Sequence, residues 1–192
     1  MMKKLLIIVL GLLLTGCVAQ KNFQLDDKKL TENIFSTTQE PKFEMETAGL
    51  KYLGSIDEST GESALRYRAY SHFFTGKDYI IVISMVTLNT GEWMVHKPWE
   101  LQLEKEKHGK KVFDCGIEYK TITLAKNDIL VVKGGLPPKI GQTYTAKIWI
   151  YSPGGITGGT RIYLNYYESG NHKNNLQGFI ERADTRTKFK ML

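Results

Sequence analysis

The feature that most constrains the fold is a two-residue alternation of apolar side chains, which recurs along the chain from about residue 48. It is clearest in TYTAKIWIY (143–151) and TRIYLNYYE (160–168). A third segment, DYIIVISMVTL (78–88), is apolar on both faces, as a central strand of a sheet should be. Successive side chains of a strand point to opposite faces of the sheet, so this period predicts β-strands.

The number and spacing of these segments predict the fold class. We expect an all-β domain over residues 48–183, built as an antiparallel β-sandwich of about eight to ten short strands. Residues 176–183 are expected to form the last strand, and residues 184–192 a loose basic tail. A lipocalin-type barrel is the alternative, but the Gly-x-Trp expected near the first strand of that family is absent from the start of this domain.

The amino terminus carries a short apolar run. Residues 1–4, MMKK, make a basic start, and residues 5–14 are ten residues in which only Gly11 interrupts the large aliphatic side chains. A helix of ten residues is about 15 Å long, against about 30 Å for the hydrocarbon core of a bilayer. The run is too short to span a membrane, and its context is typical of a secretory signal peptide.

The run ends in Leu14, Thr15, Gly16 and Cys17, which together resemble the lipobox of bacterial lipoprotein precursors. The resemblance implies a signal peptide over residues 1–16, lipid on the Cys17 thiol, cleavage just before this cysteine and acylation of the new amine. Two or more acyl chains hold a protein stably in a bilayer, whereas one holds it only marginally. The membrane is thus the first expected partner.

The residue after the cysteine bears on localisation. In Gram-negative members of the family, aspartate at this position retains the protein in the inner membrane. Val18 stands there instead, so the resemblance implies the outer membrane. In a Gram-positive source the same anchor would lie on the outer face of the cell membrane. Export argues against a nucleic-acid partner.

Residues 17–47 are polar and charged, and they are expected to carry the lipidated cysteine and a tether, with at most one short helix. Loss of residues 1–16 leaves 176 residues and reduces the net charge from +6 to +4. This mildly basic balance suits anionic lipid, lipopolysaccharide or a cell-wall polymer.

Two groups of residues are candidates for binding. Trp93 and Trp99 flank a proline in a segment too polar for a continuously buried strand, and exposed tryptophan often marks a contact surface. The alternative is that both fold back onto the core.

The second candidate is the outward face of the strand near residues 63–74. It comprises Arg66, Arg68, Tyr70 and His72, joined by Arg161 and Tyr163 if they share that face. A basic-aromatic surface of this kind could bind a glycan or an anionic lipid. The alternative is an ordinary solvated sheet face.

Catalytic, metal and cofactor signatures are not found in the sequence. The four histidines are far apart and lack metal-ligand spacing, so they are expected at the surface. Cys115 is the second of two cysteines and is expected to be an inert core residue. We therefore expect a non-enzymatic cell-envelope lipoprotein that binds or assembles with an envelope protein. Glycan or anionic-lipid binding is the alternative, and an enzyme is the less favoured one.

Overall fold

The computed structural model describes residues 28–37, 41–60, 67–88, 99–121, 141–153 and 160–192. The signal peptide, Cys17, Arg66 and Trp93 lie outside these ranges. Within them the chain is mostly β-structure with one short α-helix, which confirms the predicted fold class. The strands are β1 (Lys28–Leu30), β2 (Ile34–Thr37), β3 (Phe43–Glu46), β4 (Lys51–Thr60), β5 (Tyr67–Thr75), β6 (Tyr79–Leu88), β7 (Leu101–Gln102), β8 (Glu106–His108), β9 (Lys111–Thr121), β10 (Thr143–Tyr151), β11 (Thr160–Ser169) and β12 (Phe189–Met191).

These strands form two antiparallel sheets. The small sheet has four strands in the order β1-β2-β3-β12. The large sheet has eight, in the order β4-β5-β6-β11-β10-β9-β7, with β8 also paired to β9. The strand predicted to be central, β6, lies inside the large sheet between β5 and β11, which explains why it is apolar on both faces.

The main core lies between the sheets. One face of the large sheet, called here the sandwich face, is covered by the small sheet and by the helix α1 (Leu176–Arg186). The Phe35 ring of the small sheet packs edge-on against Phe74 of this face, with centroids 5.4 Å apart. The Phe189 ring packs likewise against Trp149, at 5.6 Å.

The opposite face of the large sheet, called here the second face, has its own apolar cluster. Its buried members are Phe73, Ile80, Val82, Ala146, Ile148, Ile150 and Tyr167. Both faces of the large sheet are thus apolar. The alternation of apolar and polar residues therefore could not tell which side of β5 meets the small sheet.

The predicted tether boundary is wrong. Residues 28–46 supply three strands of the small sheet, and Phe35 and Phe43 within them have no solvent exposure. The domain therefore begins no later than Lys28. The segment looked like a tether because its strands are only three or four residues long and too short for alternation to register.

The carboxyl-terminal prediction is also wrong. Residues 176–183, expected as a strand, lie in the helix α1, which follows a 3-10 turn at Lys173–Asn175. The expected loose tail contains the end of α1 and β12, which pairs with β3 through Phe189 and Met45. Apolar burial fixes both elements, since Phe179 is fully buried and Met191 is 3% exposed.

Candidate functional site

The strand proposed as a basic-aromatic binding surface faces the core rather than solvent. Arg68, Tyr70 and His72 of β5 lie on the sandwich face, because His72 pairs with Ile83 and Tyr70 with Met85 across the sheet. His72 is 1% exposed, its ring lies 4.8 Å from that of Phe35, and its Nδ1 is 3.1 Å from the Tyr52 hydroxyl. The expectation of a surface histidine is wrong at this position. His72 is buried because the small sheet covers it, and most residues of that sheet lie in the segment that the sequence predicts to be a tether.

Arg68 remains half-exposed, but its charge is already matched. Its guanidinium lies 3.2 Å from the Asp57 carboxylate and 4.8 Å from the Tyr70 ring centroid. The hydrogen bond to Asp57 raises the pKa of Arg68, although burial opposes this. An incoming anion would therefore compete with Asp57 for this guanidinium.

Arg161 and Tyr163 do not join that strand on one face. In the register of the sheet, Arg161 of β11 pairs with Val86, and Val86 pairs with Ala69. Arg161 and Tyr163 therefore lie on the second face, opposite Arg68 and Tyr70. The joint basic-aromatic surface expected from the sequence is not formed by these residues.

Trp99 folds back onto the large sheet and is half-buried. Its indole lies over Gly116 of β9, and a Cβ built on that glycine would come within 2.2 Å of the Trp99 ring. The main chain continues into β7, where Leu101 is 40% exposed. Trp99 thus packs on the core, while the apolar side chain presented to solvent beside it is Leu101.

The most unusual polar feature is a lysine in the middle of β10 that has no solvent exposure. The Lys147 ammonium lies 2.7 Å from the Glu106 carboxylate of β8, contacts the Asp184 carboxylate of α1, and lies 4.8 Å from the centroid of the Trp149 ring. Trp149 Nε1 donates to Glu106 at 2.7 Å. His108 Nε2 lies 3.0 Å from the same carboxylate. We call these five residues the lysine cluster.

The pKa values of the two carboxylates of the lysine cluster are shifted in opposite directions. Burial opposes ionisation of Glu106, but hydrogen bonds from His108, Lys147 and Trp149 outweigh it and lower its pKa to about 2. Burial raises the pKa of Asp184, and its contact with Lys147 offsets this only in part. Glu106 is therefore the firmer anion of the pair.

A second polar cluster holds the same helix further along the sheet. The Glu168 carboxylate of β11 accepts hydrogen bonds from Arg182 Nη2 at 2.8 Å and Arg186 Nη1 at 3.0 Å, and also from the Tyr166 hydroxyl. Burial opposes ionisation of Glu168, yet the hydrogen bonds from Arg182 and Tyr166 outweigh it and lower the pKa overall. Arg186 also lies 3.2 Å from Asp78.

The chemistry of both clusters is charge pairing between α1 and the strands beneath it. An ammonium held by two carboxylates is not available as a nucleophile. Within the described ranges, no group of three or more histidine, cysteine or acidic side chains is able to hold a metal ion. No helix among the residues that the structure describes is long and apolar enough to cross a membrane.

Two signals in the sequence could have indicated these elements. Leu176, Phe179, Ile180 and Ala183 follow the i, i+3, i+4, i+7 spacing of an amphipathic helix. Lys147 is the one charged residue within TYTAKIWIY and shares a face with Trp149 and Tyr151. A lone cation on an aromatic face is better explained by a buried ion pair than by a solvated face.

The candidates for a functional role are Cys17 in the sequence, and the lysine cluster and the strand edge at Leu101 in the structure. No protein-family model, curated protein or solved structure matches the chain.

Proposed function

We propose that the chain is an exported lipoprotein, held in the cell envelope by acyl chains on Cys17, whose β-sandwich is a binding or assembly module for an envelope protein. The observation that carries the proposal is the joint occurrence of the basic start, the ten-residue apolar run and the Leu14, Thr15, Gly16, Cys17 motif. Val18 favours the outer membrane as the destination. No catalytic role is assigned.

The early start of the domain limits how far it can extend from its anchor. Ten residues separate Cys17 from Lys28, where β1 begins. Even fully extended, this stretch spans at most about 40 Å. The domain therefore acts close to the bilayer that holds it, and its partner is expected at or near that membrane.

A protein partner is supported by the edge of the large sheet. In the described strand order β7 is the last strand, and it has only two residues, Leu101 and Gln102. Leu101 is 40% exposed next to the large half-buried ring of Trp99. A sheet edge with an adjacent apolar side chain is a common docking place for an extended segment of another protein.

The anchor is tested by feeding cells a fatty acid that carries a chemical tag and then isolating the protein. We expect the native chain and Cys115→Ala to incorporate the tag and to fractionate with membranes. Cys17→Ser should do neither. Cys115→Ala is the matched control, because it removes the other cysteine. Equal incorporation by Cys17→Ser would contradict the lipid anchor.

The partner is tested with a photo-crosslinking amino acid in intact cells. One variant carries it in place of Leu101, and the control carries it in place of Ile34, which has a similar exposure of 43% on the small sheet. We expect one envelope protein to be captured from position 101, in amounts comparable to the lipoprotein, and not from position 34. Equal capture from both positions would contradict docking at this edge.

A further inference from the structure

The chain enters the domain at a defined end of the sandwich. Lys28, the first residue of β1, pairs with Thr37 at the end of β2. Thr37 Oγ1 accepts a hydrogen bond from the Phe43 amide at 2.9 Å, and Phe43 pairs with Met191 at the end of β12. The start of β1, the start of β3 and the carboxyl terminus therefore lie side by side.

The turn between β8 and β9 lies at the same end. Gly109 forms a bridge with Met191, and the Lys110 amide donates to the Met191 carbonyl at 3.4 Å. Gly109 has φ +65°, and a Cβ on it would lie 2.2 Å from that carbonyl oxygen, so only glycine allows this approach. At about 4.8 Å per neighbouring chain, the end from β1 to this turn is about 20 Å wide.

This end is rich in exposed lysines. We call it the lysine end, after the exposed residues Lys42, Lys107, Lys110, Lys111 and Lys190. Three of the described acidic side chains close to it in the chain are paired: Glu44 with Lys190 at 2.9 Å, Glu106 with Lys147 at 2.7 Å and Asp114 with Lys105 at 3.1 Å. Glu104, three residues before Lys107, is exposed. The terminal carboxylate adds a negative charge at this end, and in the sequence Asp26 and Asp27 directly precede Lys28.

Two exposed apolar side chains lie among these lysines. Val112 is 52% exposed, directly opposite Lys107 in the β8–β9 pairing, and Leu192 is 46% exposed beside Lys42, whose carbonyl accepts its amide at 3.0 Å. Basic side chains around a few apolar ones are typical of surfaces that lie on lipid headgroups. The lysines meet the phosphates while the apolar groups enter the boundary beneath them.

We propose that the lysine end docks onto anionic lipid headgroups of the bilayer in which the acyl chains of Cys17 are embedded. This inference rests on the proposed lipid anchor, because the anchor chain enters at this same end and cannot hold it more than about 40 Å away. Tethering at so short a range gives a high effective concentration, so an individually weak electrostatic contact suffices. Each lysine near an anionic surface then favours the docked state about fivefold.

The test uses the lipidated protein in vesicles and a polarity-sensitive fluorophore on an introduced cysteine. Val112→Cys places the label at the lysine end, and Ile34→Cys places it at the other end of the small sheet. The fluorescence of each is compared in vesicles of phosphatidylcholine alone and with phosphatidylglycerol added. Lys107→Gln/Lys110→Gln removes two charges from the lysine end. Lys51→Gln/Lys77→Gln removes two from exposed positions at the opposite end.

We expect the label at position 112, and not at 34, to brighten in the anionic vesicles and to lose this response in high salt. In the Lys107→Gln/Lys110→Gln variant the equilibrium constant for docking should fall more than tenfold. In the Lys51→Gln/Lys77→Gln variant it should stay as in the native chain. An unchanged signal at position 112, or equal loss in both variants, would overturn the proposal. Acylation of Cys17 is scored separately by the mass of the amino-terminal peptide, so failure of the anchor is distinguished from failure of the docking.

Discussion

Lys147 and Asp184 form an ion pair in which the lysine side chain has no exposure while the aspartate side chain keeps 44%. The lysine lies in the middle of the large sheet, and the aspartate on the only α-helix among the described residues. The pair therefore joins the carboxyl-terminal helix to β10. Because a buried ammonium is costly unless it is paired, the position of α1 is coupled to the neutralisation of Lys147.

Replacing Lys147 by methionine should destabilise the fold. The change removes the ammonium and leaves the Glu106 and Asp184 carboxylates facing each other without a cation between them. Breaking a fully buried pair typically costs at least about 3 kcal/mol, and we expect a loss between that value and about 1 kcal/mol because both carboxylates keep some exposure to water. Urea unfolding of the purified protein measures the loss. Lys188→Met is the control, because Lys188 and Glu46 form an exposed pair at 3.8 Å, which should contribute under about 1 kcal/mol. Equal losses in the two variants would contradict the role of the lysine cluster.

Stability should fall in acid partly through Glu106. Its pKa is lowered from 4.5 to about 2, so the unfolded chain takes up a proton at a higher pH than the folded one. Its contribution is complete above about pH 4.5 and is lost as the pH falls toward 2. Asp184, with its pKa raised, acts in the opposite direction.

The acid dependence is measured by urea unfolding at about pH 6 and about pH 3. Glu106→Gln should lower the free energy of unfolding at pH 6. It should also reduce the difference between the free energies of unfolding at pH 6 and pH 3. Glu181→Gln, an exposed change on α1, should leave the difference as it is. If Glu106→Gln loses as much stability between pH 6 and pH 3 as the native chain does, other carboxylates account for the loss of stability in acid.

The thiol of Cys115 should be inert in the folded protein. It is fully buried, and burial raises its pKa to about 12, so almost no thiolate is present at neutral pH. Alkylation with iodoacetamide at about pH 8 should modify no cysteine in the native lipidated protein and one after unfolding in urea. Rapid modification of Cys115 without urea would mean that this part of β9 opens readily.

Gly116→Ala should disturb the packing of Trp99. The new methyl group would occupy the place of the indole, which must then move off β9. Overpacking of this kind costs about 1–3 kcal/mol. Tryptophan fluorescence should shift to longer wavelength while circular dichroism still reports β-structure. An unchanged emission spectrum would show that Trp99 does not rest on Gly116.

The sequence predicted the long strands well because an alternation of apolar and polar residues can be recognised only over a long enough segment. TYTAKIWIY and TRIYLNYYE are strands β10 and β11, paired to each other with Ile148 opposite Asn165. The predicted burial of Cys115 is confirmed. Each of these depends on a local pattern along the chain.

What the sequence did not predict depends on contacts between distant segments. The four-residue strands β2 and β3 are strands because β12 pairs with β3 from the other end of the chain. His72 is buried because Phe35 covers it, which no pattern within β5 indicates. The pattern around Lys147 indicates a buried ion pair, but it does not identify the partners, because Glu106 and Asp184 come from distant segments of the chain. When both faces of a strand are apolar, its neighbours decide which face each side chain lies on. For this reason the sequence did not predict that Arg161 and Arg68 lie on opposite faces of the large sheet.

The central claim is the lipid anchor, and the mass of the amino-terminal peptide of the mature protein tests it most directly. Trypsin should release residues 17–21, CVAQK, as the first peptide of the processed chain. We expect its cysteine to carry a diacylglyceryl group and its amine a fatty acyl chain, and no peptide from residues 1–16 to remain. An unmodified Cys17, or a chain that still contains residues 5–14, would contradict the account.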